Sequence, residues 1–146
     1  VEKVGMMADV LLDTAYAIAL SSANDLFHHR AVQLADELKA AGTRLVTTRA
    51  ILLEIGNALS KQRHRRAGVM LLDSLDADPR VEIISLSEEL YRRALRLYRE
   101  RPDKEWTLTD CVSFIVMEDR GISEALTTDD HFQQAGFRAL MRQELK

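Results

Sequence analysis

The sequence predicts an α/β fold, a three-layer α/β/α sandwich around a parallel sheet of four or five strands. Three observations predict it. Short, wholly apolar runs alternate with longer segments of helical period, which is the pattern of a parallel sheet covered on both faces. The chain has 146 residues, room for one core rather than two. Apolar residues make up 47% and charged residues 29%, ordinary globular usage that excludes disorder, collagen and coiled-coil arrays.

Taken in order, Val10-Leu11-Leu12 reads as a buried central strand. A helix follows over residues 26–40, where Ala31, Leu34, Ala35 and Leu38 recur at helical spacing and Gly42 supplies the stop. Residues 44–47 are a second strand. Thr48 caps a helix with the stripe Ile51, Leu52, Ile55, Ala58 and Leu59. A further helix over 67–75 closes at Asp76-Ala77-Asp78-Pro79. Residues 81–85 are a third strand, and Ser87 caps a helix over 88–99. After a loop at 101–104, Thr107 opens the helix holding Cys111, Val112, Ile115 and Val116, which Gly121 ends. Residues 125–128 make a fourth strand, 130–135 a short helix, and 137–141 a fifth strand. Residues 8–146 therefore read as one domain, with 1–7 an N-terminal extension or an expression remnant ahead of it.

Composition narrows the function classes. The single cysteine, Cys111, cannot build an intrachain disulfide or a Cys-rich zinc site, and beside Asp110 it reads as a small core hydrophobe. No window approaches the roughly 18 uninterrupted apolar residues of a membrane helix, and the acids in the first 13 residues spoil a signal peptide. A cytoplasmic protein is expected. No Gly-rich nucleotide-binding motif and no metal-binding histidine spacing occurs; His28 and His29 point in different directions on one helix, and His131 reads as packing at a helix start. The net charge of −3 argues, on its face, against a nucleic-acid partner.

Four carboxylates change that picture. Ligands of open α/β sheets bind beyond the carboxyl ends of the strands. Asp13 directly follows the first strand and Asp129 the fourth. Asp110 sits in the first turn of its helix and Glu54 in the second turn of another. Right-handed crossovers bring those helix N-termini to the same sheet edge. Each acid also has a plain structural reading. Asp13 and Asp129 suit a turn or cap, Asp110 lies three residues after Thr107 at capping-box spacing, and Glu54 suits a solvated helix face. Together they form an oxygen-only set at strand ends, which suits Mg²⁺ or Mn²⁺.

The segments Leu11-Leu12-Asp13-Thr14-Ala15-Tyr16, Glu54-Ile55-Gly56-Asn57-Ala58-Leu59, Leu108-Thr109-Asp110-Cys111-Val112-Ser113-Phe114 and Leu126-Thr127-Thr128-Asp129-Asp130-His131-Phe132, with Gly136-Phe137 beyond, resemble PIN domains. The resemblance runs from about residue 8 to 142 and is closest to the VapC-like toxins of type II toxin–antitoxin pairs. It implies strand order 3-2-1-4-5, with Asp13 and Asp129 flanking the crevice where chain direction switches. It matches Asp13, Glu54, Asp110 and Asp129 to the family's acidic residues and Thr14 to a hydroxyl that lines the site. Asp130 ranks behind them. Asn57, one turn beyond Glu54, either orients that acid or a metal-bound water, or is simply solvated.

The resemblance implies a metal-dependent ribonuclease that cuts RNA with water rather than with the ribose 2′-OH. Asp13, Asp110 and Asp129 are the expected Mg²⁺ or Mn²⁺ ligands, and Glu54 the group that orients or deprotonates the attacking water. Expected partners are the RNA substrate, a cognate antitoxin and a second copy of the chain, with no membrane. Mutual repulsion should raise at least one of the carboxyl pKa values. Charge along the chain fits, since residues 49–101 hold 11 basic side chains against 8 acidic. Lys61-Gln62-Arg63-His64-Arg65-Arg66 follows the Glu54 helix, and Arg92, Arg93, Arg96, Arg99 and Arg101 mark another face. These clusters hold RNA phosphates or an acidic antitoxin segment, or only complement a helix C-terminus. Two rivals stand beside this reading. A phosphoacceptor receiver domain needs an Asp after the third strand, where this chain has Ser85. A noncatalytic PIN-type module that binds RNA or protein has no need of all four acids.

Overall fold

The computed structural model describes residues 8–142. In chain order the elements are β1 (Val10–Leu12), α1 (Thr14–Ser21), α2 (His28–Ala41), β2 (Leu45–Thr48), α3 (Arg49–Ala58), α4 (Gln62–Ala77), β3 (Val81–Ile84), α5 (Glu88–Glu100), α6 (Leu108–Arg120), β4 (Glu124–Leu126), α7 (Asp130–Gln134) and β5 (Arg138–Ala139), ending in a 3₁₀ turn at Leu140–Arg142. The strands form one parallel sheet in the order β3-β2-β1-β4-β5. This is the expected order.

β1 lies at the centre, with Leu11 opposite both Val46 of β2 and Ala125 of β4. All three residues of β1 and all four of β2 are buried, because helices cover both faces. Burial on both faces also explains why β1 is wholly apolar and β2 opens with Leu45-Val46 rather than alternating. Where β2 does carry a hydroxyl, Thr47 Oγ1 donates to the Leu12 carbonyl at 2.9 Å, so the core holds no loose polar group there. On the helical side, α1 packs against α2, α3 and α4, while α5 packs against α6 and α6 against α7.

The helix ends follow local chemistry. Thr48 and Ser87 cap α3 and α5 by accepting from the backbone N–H three residues on. Gly42 and Gly121 end α2 and α6 with φ of 70° and 67°, a left-handed conformation in which a Cβ would be strained.

Four expectations change. α1 was not anticipated, because Asp13 interrupts the apolar run Val10–Leu20; in fact Asp13 is the boundary between strand and helix. The helix expected over 67–75 starts at Gln62, so the basic run opens α4 instead of ending α3. Cations in a first helical turn gain nothing from the helix dipole, which removes that explanation for them. The fourth strand stops at Leu126 and leaves Thr127 and Thr128 beyond the sheet edge, and the fifth is only Arg138–Ala139. The extension expected at residues 1–7 lies outside the described residues.

Candidate active site

The site forms where β1 and β4 lie side by side and their chains leave in opposite senses. Asp13 follows β1 at once and is 8% exposed. A buried acid needs a donor, and the hydroxyl of Thr127 supplies one to Asp13 Oδ2 at 2.8 Å. The same Thr127 oxygen accepts from the Asp129 N–H at 3.1 Å. One hydroxyl therefore ties together the two segments that carry Asp13 and Asp129. Thr127 is itself fully buried.

Burial pushes the Asp13 pKa up to about 7. The Thr127 and Thr14 hydrogen bonds oppose the rise, and the charges of Asp110 and Glu54 add to it. Repulsion among the acids is thus real but secondary to desolvation.

Glu54 is reached from across the molecule. Thr14, the first residue of α1, donates its hydroxyl to Glu54 Oε1 at 2.5 Å. This bond holds the α3 carboxylate toward β1. Asn57 is exposed and its side chain makes no hydrogen bond to Glu54; the two share the wall of a cavity of about 330 Å³.

Asp110 is both a cap and a site residue. Thr107 Oγ1 accepts from the Asp110 N–H, and Asp110 Oδ2 accepts from the Thr107 N–H, each at 3.0 Å. The capping box fixes the carboxylate in the first turn of α6. The same Oδ2 accepts from His131 Nδ1 at 2.9 Å. His131 also donates its backbone N–H to Asp129 Oδ1 at 2.9 Å, and its ring nitrogen stands 3.4 Å from that oxygen. Burial alone would lower the His131 pKa; the bond to Asp110 and the charges of Asp129, Asp110 and Asp130 outweigh it and hold the ring above its ordinary value.

The tight donor cluster is therefore Asp110, Asp129 and His131, whose ligand atoms lie within 4.8 Å of one another. Asp13 is not one of the three. It adjoins them through Thr127 and through its charge interaction with Asp110. Asp130 is exposed and acts on the group only as a charge near His131. Thr127 escaped the sequence reading, and His131, expected to pack at a helix start, instead bonds the Asp110 carboxylate. The adjacency of His131 to Asp129 and Asp130 was visible, but its bond to Asp110 spans 21 residues and needs the fold.

The two carboxylates of this cluster fit a hard divalent cation, with His131 bonded to Asp110 rather than offered to a metal. Carboxylate oxygens are the donors Mg²⁺ and Mn²⁺ prefer. Three residues after Asp110 on α6, Ser113 Oγ is buried without a hydrogen-bond partner, an unsatisfied polar atom on the helix that carries Asp110. Asp129, whose side chain is 37% exposed, leaves the cluster open to solvent on one side. Cys111 plays no part: it is buried, and desolvation pushes its thiol up to about 11.

A parallel sheet with acids gathered outside the ends of its central strands is the architecture of the PIN domain. The PIN family model matches residues 10–138, and the chain belongs to that family. It is similar to the 23S rRNA-specific endonuclease VapC20 of Mycobacterium tuberculosis, from strains CDC 1551 / Oshkosh and ATCC 25618 / H37Rv. Each is 26% identical over 128 residues, covering 88% of this chain and 95% of the relative. The crystal structure of M. tuberculosis VapC20, a Sarcin-Ricin loop cleaving toxin, matches with a TM-score of 0.77 at 25% identity, over 88% of this chain and 96% of that one.

Proposed function

We propose that this chain is a metal-dependent endoribonuclease and the toxin of a type II toxin–antitoxin pair. The observation that carries the reading is the convergence at one sheet edge of a buried Asp13 with Asp110, Glu54 and Asp129, an arrangement costly to the fold unless a cation neutralises it. The likeness to VapC20 supports RNA as substrate, with a structured ribosomal RNA loop the first to test.

Asp110 and Asp129 would hold the ion, with Asp13 beside them. A bound Mg²⁺ or Mn²⁺ polarises a phosphoryl oxygen and offsets the charge that develops on the leaving oxygen. Glu54 takes the proton of the attacking water. Its Oε1 is engaged by Thr14, which fixes the carboxylate and leaves Oε2 to accept. His131, with one N–H on each of two acids, orients Asp110 and Asp129 relative to each other. Thr127 does the same for Asp13 and Asp129.

The proposal includes a homodimer, a cognate antitoxin and a cytoplasmic setting. No described helix is long and apolar enough to cross a membrane. The test is a labelled RNA carrying a sarcin–ricin-type loop, incubated with Mg²⁺, Mn²⁺ or EDTA. Cleavage is expected with either metal and not with EDTA, giving ends without a 2′,3′-cyclic phosphate. Asp110→Asn should abolish it and reduce the rise in Tm that the cations produce. Full cleavage in excess chelator sinks the mechanism, and RNA binding without turnover favours a noncatalytic module.

A further inference from the structure

The arginines of α5 and the loop after it do not act alike. Arg92 pairs with Glu88, Arg93 with Asp119 and Arg101 with Asp103, so their charges are neutralised locally. Arg99 and Lys104 make no side-chain ion pair or hydrogen bond among the described residues. Both line a cavity of about 860 Å³ between the end of α5 and the loop that leads into α6. One acid, Glu105, shares that wall with the two unpaired cations, Arg101 being neutralised by Asp103, so the cavity is positive on balance.

Its floor is fixed and its rim is aromatic. Trp106 is 7% exposed, donates Nε1–H to Gln134 Oε1 at 3.1 Å, and has the Arg101 guanidinium 5.2 Å from its ring centroid. Tyr98, by contrast, is 50% exposed on the rim. Leu108 forms a wall common to this cavity and to the smaller one holding Glu54 and Asn57. The smaller one has Tyr91 at its side, two turns before Tyr98 on the same face of α5 and about 10.5 Å away along the helix axis. The two cavities thus adjoin at Leu108, the smaller with Tyr91 and Glu54 in its wall and the larger with Tyr98 and two unpaired cations.

We propose that the larger cavity is a nucleotide subsite for single-stranded RNA flanking the scissile bond. Tyr98 stacks on a base, and Arg99 and Lys104 each take one of the phosphates flanking it. The inference rests on the nuclease reading and adds where the substrate strand lies. Its volume is within the range of small-ligand sites. An open ring beside free cations is the pairing that holds single strands without sequence preference. An acidic peptide would use the cations but leave the ring without a role.

The experiment measures binding apart from turnover. Fluorescence anisotropy of a labelled 12-nucleotide single-stranded RNA is recorded in EDTA with the full chain, across a salt series, and cleavage is followed separately with Mn²⁺. Tyr98→Ala should weaken binding about tenfold, a loss of the size expected for one stacked base. Arg99→Gln with Lys104→Gln should weaken it too and lower the slope of log K against log salt by about 1.4, two phosphates' worth for a single strand. Tyr98→Phe should retain wild-type affinity, and matching Tm values exclude a folding defect. Undiminished RNA affinity in Tyr98→Ala and in the double variant overturns the subsite. So does tighter binding of a Glu-rich peptide than of RNA, lost in the same variants. Wild-type binding that depends on these residues, with no cleavage in any metal, leaves the subsite standing and removes the nuclease reading.

Discussion

Asp13 is 8% exposed, with a single side-chain donor, and its pKa of about 7 compares with 3.8 for an unburdened aspartate. Below pH 4 the carboxyl is neutral in both folded and unfolded chains and has no effect on stability. Between about 4 and 7 the folded chain binds more protons, so stability falls as pH rises, and above 7 the full burden, on the order of 4 kcal/mol, is present. Asp13→Asn keeps an acceptor for Thr127 and removes the charge. Thermal unfolding in EDTA should therefore show a higher Tm for the variant at pH 8 and little difference at pH 4; equal shifts at both would contradict the account. His131 acts in the same direction on the alkaline side. Its raised pKa gives stability that is full below the ordinary imidazole value and is lost as pH rises through the folded one. The four acids could be found from the sequence because they abut strand ends and helix starts. Thr127 could not, because its bond to Asp13 joins residues 114 apart and any Thr after a strand reads as ordinary.

α6 shows how a local motif can serve two purposes. The spacing of Thr107 and Asp110 predicts a capping box, and the box forms; the same geometry then holds Oδ2 where His131 meets it. Thr107→Ala should cost about 1 kcal/mol of stability through the lost cap. It should also reduce kcat for RNA cleavage more than that destabilisation explains, while Thr107→Ser restores both. Equal kcat in Thr107→Ala and wild type would show that Asp110 does not depend on its cap. Elements with caps and clean periodicity were legible in this way, as Thr48, Ser87, Gly42 and Gly121 show. α1 and the start of α4 were not. α1 is apolar nearly all round and lacks a helical stripe, and no side chain caps α4.

Across the whole molecule, the net charge of −3 hides a strong separation. Acids collect at the ends of β1 and β4, while Lys61, Arg63, Arg65 and Arg66 stand exposed around the start of α4 with no carboxylate partner among the described residues. If those cations meet RNA phosphates, Arg63→Gln with Arg66→Gln should weaken binding of all RNA sequences about equally and lower the salt slope by about 1.4. An unchanged slope would leave the run to another polyanion, such as an acidic antitoxin tail. The strand order also follows from whole-chain logic: βαβ crossovers gather strand ends on one edge, and the reversal beside β1 opens the crevice.

Because all five strands run the same way, the four acids collect at one edge of the sheet, and among the described residues none of them lies at the opposite edge. The chain enters β1 at Val10 on that second edge, a strand length of about 10 Å from Asp13. A label on the exposed Ala8 would therefore sit beyond a strand length from the acids, at the other edge of the sheet. Such a label reports on what binds at the acids without occupying their edge.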